Sequence, residues 1–346
     1  MHRLLLTILL FTLSSVLTYG QKTITGKILS TTTKDPISYA NIGIVNSNVG
    51  TISNFDGSFS IVIPKNLSND TLTFTSLGFF GKAISLDLLE SKKEFTVFLK
   101  EKVTILKPVI ITAKLRKDKL IELGNRTYDG GNYEPDTTYA GRSVALLIDN
   151  KNFPKGLSFP VFIKKASLYI FKNNFDSFKF RIRLNKYDSK TGKPGEDLLE
   201  KSIVVESDMK FGWLKFDLSQ LNFQVKGSFF ITFEQLLDLS DRTAIAYGYR
   251  DIRRSHPELL INETVIMDGK KEIIQKLTKG GMDLPGTFIG TSYAKSVIEN
   301  YSCFIRQTSL GEWKKVPTII AATVSISRQS SNNTEEKLTL PESETH

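Results

Sequence analysis

Between Thr23 and Leu99 the chain alternates short apolar runs with turn clusters, the pattern of a small antiparallel β-sandwich. Ile24, Gly26 and Ile28 fall on one strand face, and Phe59, Ile61 and Ile63 on another, because successive strand side chains point to opposite sides. Lys34-Asp35-Pro36 and Asn54-Phe55-Asp56-Gly57 interrupt the runs. Pro presets φ and Gly supplies a positive φ, so the second cluster predicts a hairpin turn. Val109-Ile110-Ile111-Thr112 reads as one further strand, and Lys114 to Lys119 as a charged connector.

From about Asn125 the alternation resumes. Ala166 to Ile170, Phe178 to Leu184, Trp213 to Leu218 and Phe229 to Phe233 are strands by this pattern, as are Tyr301 to Arg306 and Ile319 to Ile326. Asp188 to Gly195 is a turn. Evenly spaced short strands predict a second sandwich, with a jelly roll as one form it could take. Between Asp238 and Asn300 the period weakens. Ile273, Ile274 and Leu277 stand at helical spacing within 270–279 and Gly280-Gly281 follows, which predicts a short helical insertion. Its basic residues Arg250, Arg253, Arg254, Lys270, Lys271 and Lys276 read as solvent-facing. The polar stretch 329–346 is expected to be disordered.

Two stretches resemble known families. Gly26, Pro36-Ile37-Ser38-Tyr39-Ala40-Asn41-Ile42, the run Gly50 to Phe59 and Leu77-Gly78-Phe79 resemble the carboxypeptidase-regulatory-like domain. That resemblance implies a seven-stranded transthyretin-like sandwich acting as an accessory module without catalytic residues. Such domains often head outer-membrane receptors of Bacteroidetes-type bacteria, in which a strand similar to Val109 to Thr112 leads into a membrane plug and barrel. The chain that follows here is too short for a barrel of about 22 strands at roughly ten residues each, so the receptor function is not expected. In the second half, Phe180 to Leu184, Gly192 to Leu199, Gly212-Trp213-Leu214, Phe229-Phe230-Ile231 and Arg306 to Trp313 resemble a Bacteroidetes family. That family pairs this module with a β-domain of no known activity. The expected fold is all-β: a seven-stranded transthyretin-like sandwich, then a second β-sandwich carrying a short helical insertion. The expected divisions are 1–20, 21–100, 101–124, 125–328 and 329–346.

The basic start and apolar run of residues 1–20 read as a secretory signal peptide with Gln21 the first mature residue. No later run has the roughly 18 apolar residues of a spanning helix, so export to the periplasm or outer surface is the expectation. The formal net charge of +10 suits anionic glycans, lipid phosphates or acidic proteins, and equally a soluble protein that happens to be basic. The single cysteine, Cys303, excludes an internal disulfide. It alternates with Tyr301 and Ile305, which predicts a buried, inert thiol.

Little in the chain points to catalysis. Zinc peptidase chemistry needs His and carboxylate ligands at fixed spacing, yet beyond residue 20 only His256 and His346 occur. His256 is followed by Pro257 and Glu258, which fits no such pair, and a Ser-His-Asp or Cys-His arrangement would rest on it alone. No P-loop or calcium loop spacing appears, and no metal or cofactor is expected. Paired carboxylates for glycoside hydrolysis would come from Asp217, Glu234, Asp238 and Asp241, near predicted strand ends. The clearest surface feature is the row Lys179, Arg181 and Arg183, opposite Phe178, Phe180 and Ile182. It is either a solvated outer sheet face or a row that binds anionic groups. Trp213 and Trp313, with Tyr247 and Tyr249, are either core residues or a sugar-stacking platform. These features predict a non-catalytic cell-envelope module that binds another envelope protein, or alternatively a glycan through the second β-domain. No nucleic-acid partner is expected.

Overall fold

The computed structural model describes residues 22–89, 94–102, 120–132, 140–278 and 283–328. The expected signal peptide, the strand at Val109 to Thr112, the connector after it and the tail all lie outside the described residues. The chain divides into two compact units. The first takes the described residues up to Lys102 together with Ala140, Gly141 and Gln307–Glu312, and the second takes the remainder.

In the first unit, β1 (Lys22–Ser30), β2 (Asn41–Gly43), β3 (Gly50–Ile52), β4 (Ser58–Ile63), β5 (Thr71–Thr75), β6 (Lys82–Ser85) and β7 (Glu94–Leu99) form two sheets. Their orders are β4-β1-β7 and β3-β2-β5-β6. Strand β1 pairs antiparallel with β4 and parallel with β7. The predicted apolar faces meet in one core, where the rings of Phe59, Phe74 and Phe95 pack edge to face at centroid distances of 5.6–6.3 Å. Gly26 sits where a Cβ would stand 2.2 Å from the Phe95 carbonyl oxygen, so the backbone of β7 can lie this close only against glycine. Asn54 to Gly57 makes the expected turn, with Gly57 at φ +76° and its N–H donating to the Asn54 carbonyl. The turn joins β3 and β4, which belong to different sheets, so it is a corner between sheets and not the hairpin that the sequence pattern predicts.

The second unit begins with β8 (Ile121–Asn125), β9 (Gly130–Asn132), β10 (Ser143–Ile148), β11 (Val161–Asn173), β12 (Phe178–Tyr187) and β13 (Pro194–Asp197). Next come β14 (Ile203–Ser207), β15 (Gly212–Asp217), β16 (Gln224–Val225), β17 (Phe229–Leu236), helix α1 (Leu239–Ser255), β18 (Leu260–Met267) and β19 (Lys270–Leu277). It closes with β20 (Thr287–Ser292), β21 (Cys303–Arg306), β22 (Lys314–Val316), β23 (Ile319–Ile320) and β24 (Ala322–Ser327). One sheet runs β13-β12-β17-β10-β21-β22, with β14 also on β12; the other runs β23-β20-β11-β24-β8, with β15 and β16 on β11 and β9 on β20. Phe180, Ile182, Phe229, Ile231 and Phe233 from the first sheet pack with Ile163, Leu168, Ile170, Val324 and Ile326 from the second. Strand β11 shifts register between Ile163 and Lys165, a bulge that keeps Ala166, Leu168 and Ile170 pointing into this core.

The insertion differs from the sequence expectation. Residues 270–277 are β19, paired antiparallel with β18 through the two-residue turn Asp268-Gly269, whose φ angles are 53° and 79°. Those angles suit a tight hairpin turn, and Asp-Gly between apolar runs is its strongest sequence signal. The helical spacing of Ile273, Ile274 and Leu277 is the weaker signal, because three apolar positions fit a strand as well as a helix. A helix does occur, earlier, as α1: Asp238 stands at its N-cap, and Arg253 and Arg254 lie in the last turn, where cations favour the helix dipole. No helix among the described residues is long and apolar enough to cross a membrane, which says nothing of strands.

Candidate functional site

The row Lys179, Arg181 and Arg183 lies on the face of β12 turned away from the main core, and this face is not a solvated one. Arg181 is 3% exposed and Arg183 6%, and opposite them on β17 is Glu234, with no exposure at all. Arg183 Nε donates to Glu234 Oε2 at 2.6 Å and its Nη1 to Asp197 Oδ2 at 3.0 Å. Arg181 Nη1 reaches the same Glu234 oxygen at 3.4 Å. Burial alone would push the Arg183 guanidinium down, but Glu234 and Asp197 together raise it. Asp197 itself is raised because burial outweighs its attraction to Arg183. The sequence alternation placed these three cations on one face correctly. It could not show that β13 and β17 bring carboxylates onto the same face.

Lys179, at the end of the row, is the more accessible member, and its Nζ stands 3.2 Å from Asp238 and 3.6 Å from Glu206. On the same sheet Asn185 and Thr232 are hydrogen-bonded at 2.8 Å, and beyond them Ala145, Leu147, Phe230, Phe304 and Trp313 form a second apolar cluster. Trp313 is buried there, with the Arg306 guanidinium 4.6 Å over its ring. Burial pushes the Arg306 guanidinium down, with Arg183 adding to the shift.

The proposed aromatic platform is therefore divided. Trp313, just before β22, packs against the seven-stranded sheet, whereas Trp213, on β15, belongs to the eight-stranded one. Trp213 meets Tyr169 edge-on at 5.3 Å, and Tyr128 stacks on Tyr169 at 3.8 Å with the planes 17° apart. Tyr247 and Tyr249 are on α1, where each carries an arginine: Arg250 lies 4.5 Å over Tyr247 and Arg253 lies 4.9 Å over Tyr249. Only Trp213, among the four aromatics of the sequence reading, takes part in an aromatic stack on an outer sheet face.

The four carboxylates considered for glycoside hydrolysis are also dispersed. Glu234 is held by two arginines. Asp217 is on the other sheet, exposed, and accepts from the Ser219 backbone N–H and hydroxyl. Asp238 pairs with Lys179, and its own N–H donates to Asp241 Oδ2 at the start of α1. Burial raises Asp241. These engagements do not leave an acid and a base facing each other across a cleft. His256 is exposed, 3.1 Å from Glu258. No three His, Cys, Asp or Glu side chains come together as a metal site among the described residues.

Cys303 is buried in the core beside Ile305, and burial pushes its thiol up to about 11. A raised thiol pKa means that the folded state favours the protonated form. The contribution is complete below the ordinary value of 9.0 and is lost as pH rises towards about 11. The native protein is expected to resist a thiol reagent at neutral pH and to react in denaturant at the rate of a free thiol. Fast native labelling would show that β21 opens locally.

The two opposed sheets of the first unit, one of three strands and one of four around a single apolar core, define a small β-sandwich module. Residues 24–111 match the family model of the CarboxypepD_reg-like domain, so the chain carries a carboxypeptidase-regulatory-like domain. No curated protein matches the chain.

Proposed function

We propose that the protein is a non-catalytic, exported module of the cell envelope that binds another envelope protein. What supports this is the state of its polar side chains. The buried carboxylates and cations most suited to chemistry are tied to one another on the seven-stranded sheet, and the matched domain is a regulatory-like one rather than an enzyme. A signal-peptide-like start supports the export element. Cross-linking intact producing cells, followed by mass spectrometry of the joined species, tests the reading. The expected result is one reproducible envelope protein. A protein that stays monomeric and joins nothing in the envelope would sink it.

A second reading, glycan binding, is favoured by the Tyr128–Tyr169–Trp213 stack. Tyr169 projects from β11 on the side opposite Leu168 and Ile170, and Lys165 and Ser167 share that side. An aromatic face beside polar groups can stack on a sugar ring and hydrogen-bond its hydroxyls. If a glycan binds here, Trp213→Ala should weaken it by about tenfold, the equivalent of one good aromatic contact. An unchanged glycan-array profile for that variant would remove the site.

A further inference from the structure

We infer that helix α1 and the β18–β19 hairpin form a docking surface for an acidic polypeptide segment that also carries apolar side chains. The inference rests on the interaction-module reading and names the partner's chemistry.

Three observations carry it. The first is unneutralised charge. Among the described residues Arg250, Arg253, Arg254 and Lys271 are exposed and stand in no ion pair, unlike the arginines of β12. At 100° per residue Tyr247, Arg250 and Arg254 share one side of α1, away from the buried Arg242 and Ile245, whereas Arg253 lies nearly in line with Arg242 and reaches towards β19. Glu272, which might have balanced Lys271, is on the other side of β19 and is taken by Lys314 at 2.8 Å.

The second observation is that the cations are held in place. The Tyr247 and Tyr249 rings carry the guanidiniums of Arg250 and Arg253. The Tyr249 hydroxyl donates to Gln275 Oε1 at 2.5 Å, and Arg253 Nη2 donates to the same oxygen at 3.2 Å, linking the helix to β19. A stacked guanidinium loses less freedom on meeting a carboxylate than a free side chain would.

Third, the face of the hairpin that carries Gln275 also carries two exposed isoleucines beside Asn262, Thr264 and Lys271. Ile273 is 76% exposed and Ile266 60%, on strands whose other faces send Val265, Met267 and Ile274 to the core. Cross-strand pairing of Ile266 with Lys271 and of Thr264 with Ile273 makes the two isoleucines diagonal neighbours, with Lys271 beside them at the turn end of the hairpin. The hairpin sheet has only two strands, so each has one edge where backbone N–H and C=O groups meet no strand. Exposed β-branched residues and an open edge suit a polypeptide better than a polysaccharide, and the cations select an acidic one.

The test uses the purified full chain and a short fluorescent peptide alternating Glu and Val, with a Lys/Val peptide, phosphatidylglycerol vesicles and alginate as comparisons. The acidic peptide is expected to bind, and to bind less tightly as salt rises. Arg250→Glu with Arg253→Glu should weaken it by about tenfold, as should Lys271→Glu with Ile273→Ser on the hairpin, whose side chains are exposed. Equal binding of the Lys/Val peptide, binding only to vesicles or alginate, or insensitivity to both double variants would overturn the assignment. Cross-linking both variants in cells separates the two proposals. A partner retained by both leaves the interaction module standing and removes this surface, and a wild-type chain that joins nothing removes the module itself.

Discussion

Glu234→Ala is expected to lower the stability of the folded chain by about 3–5 kcal/mol, read as a fall in the urea midpoint with little change in slope. The carboxylate has no exposure and lies within reach of two guanidiniums that are themselves almost fully buried. Removing it leaves two buried cations with less counter-charge, and the loss is dominated by their desolvation rather than by the hydrogen bonds given up. The pair's net value is a separate quantity. Exchanging Arg183 and Glu234 together for methionine and leucine should cost clearly less than the sum of the two single truncations. A coupling of about 0.5–3 kcal/mol is expected from the double-mutant cycle. A cost below about 1 kcal/mol for Glu234→Ala would mean that water reaches this face in solution. In that case the strand-borne cations would again be candidates for ligand binding.

Phe74→Ala should cost a similar amount, about 3–5 kcal/mol, for a different reason. Phe74 is fully buried in the first unit, and its ring meets both Phe59 and Phe95 edge to face. Truncation removes apolar area and opens a cavity at the centre of a thin sandwich, where the remaining rings can collapse only partly. Phe74→Leu fills part of the space and should cost markedly less. Hydrogen exchange locates the effect. Amides of β1, β4 and β5 should lose protection in the alanine variant, and unchanged protection in those strands would contradict the packing described here.

These two expectations bear on function through one distinction. Cations inside a folded sheet that are matched by carboxylates contribute to stability and specificity of the fold. Cations on a surface that are matched by nothing are available to a partner. By this test the row on β12 belongs to the first kind and Arg250, Arg253 and Arg254 of α1 to the second.

Much of the first unit was legible from the chain alone. Period-two alternation fixes which side chains of β1 and β4 face inwards, and Gly57 fixes where the chain turns. Along β12 the same alternation separates Phe178, Phe180 and Ile182 from Lys179, Arg181 and Arg183. Local pattern failed at Lys270 to Leu277, where three apolar residues fit a helical period as well as a strand and the Asp268-Gly269 turn decided between them. Alternation reports which side of a strand a residue occupies, but it carries no information about what comes to lie opposite. Whether Arg183 meets water or Glu234 depends on β17 pairing with β12 some 50 residues along the chain, a contact of 51 residues' separation. The same holds for Trp213 and Trp313, which the sequence made equivalent and which the fold places against different sheets. The chain by itself determined the sandwich class, the inward faces of its clearest strands and the turn at Gly57, because these follow from local stereochemistry and the burial of apolar side chains. Only the tertiary structure decided which charges are neutralised and which stay open to a partner, because a charge's environment is set by residues that the fold, not the sequence order, brings beside it.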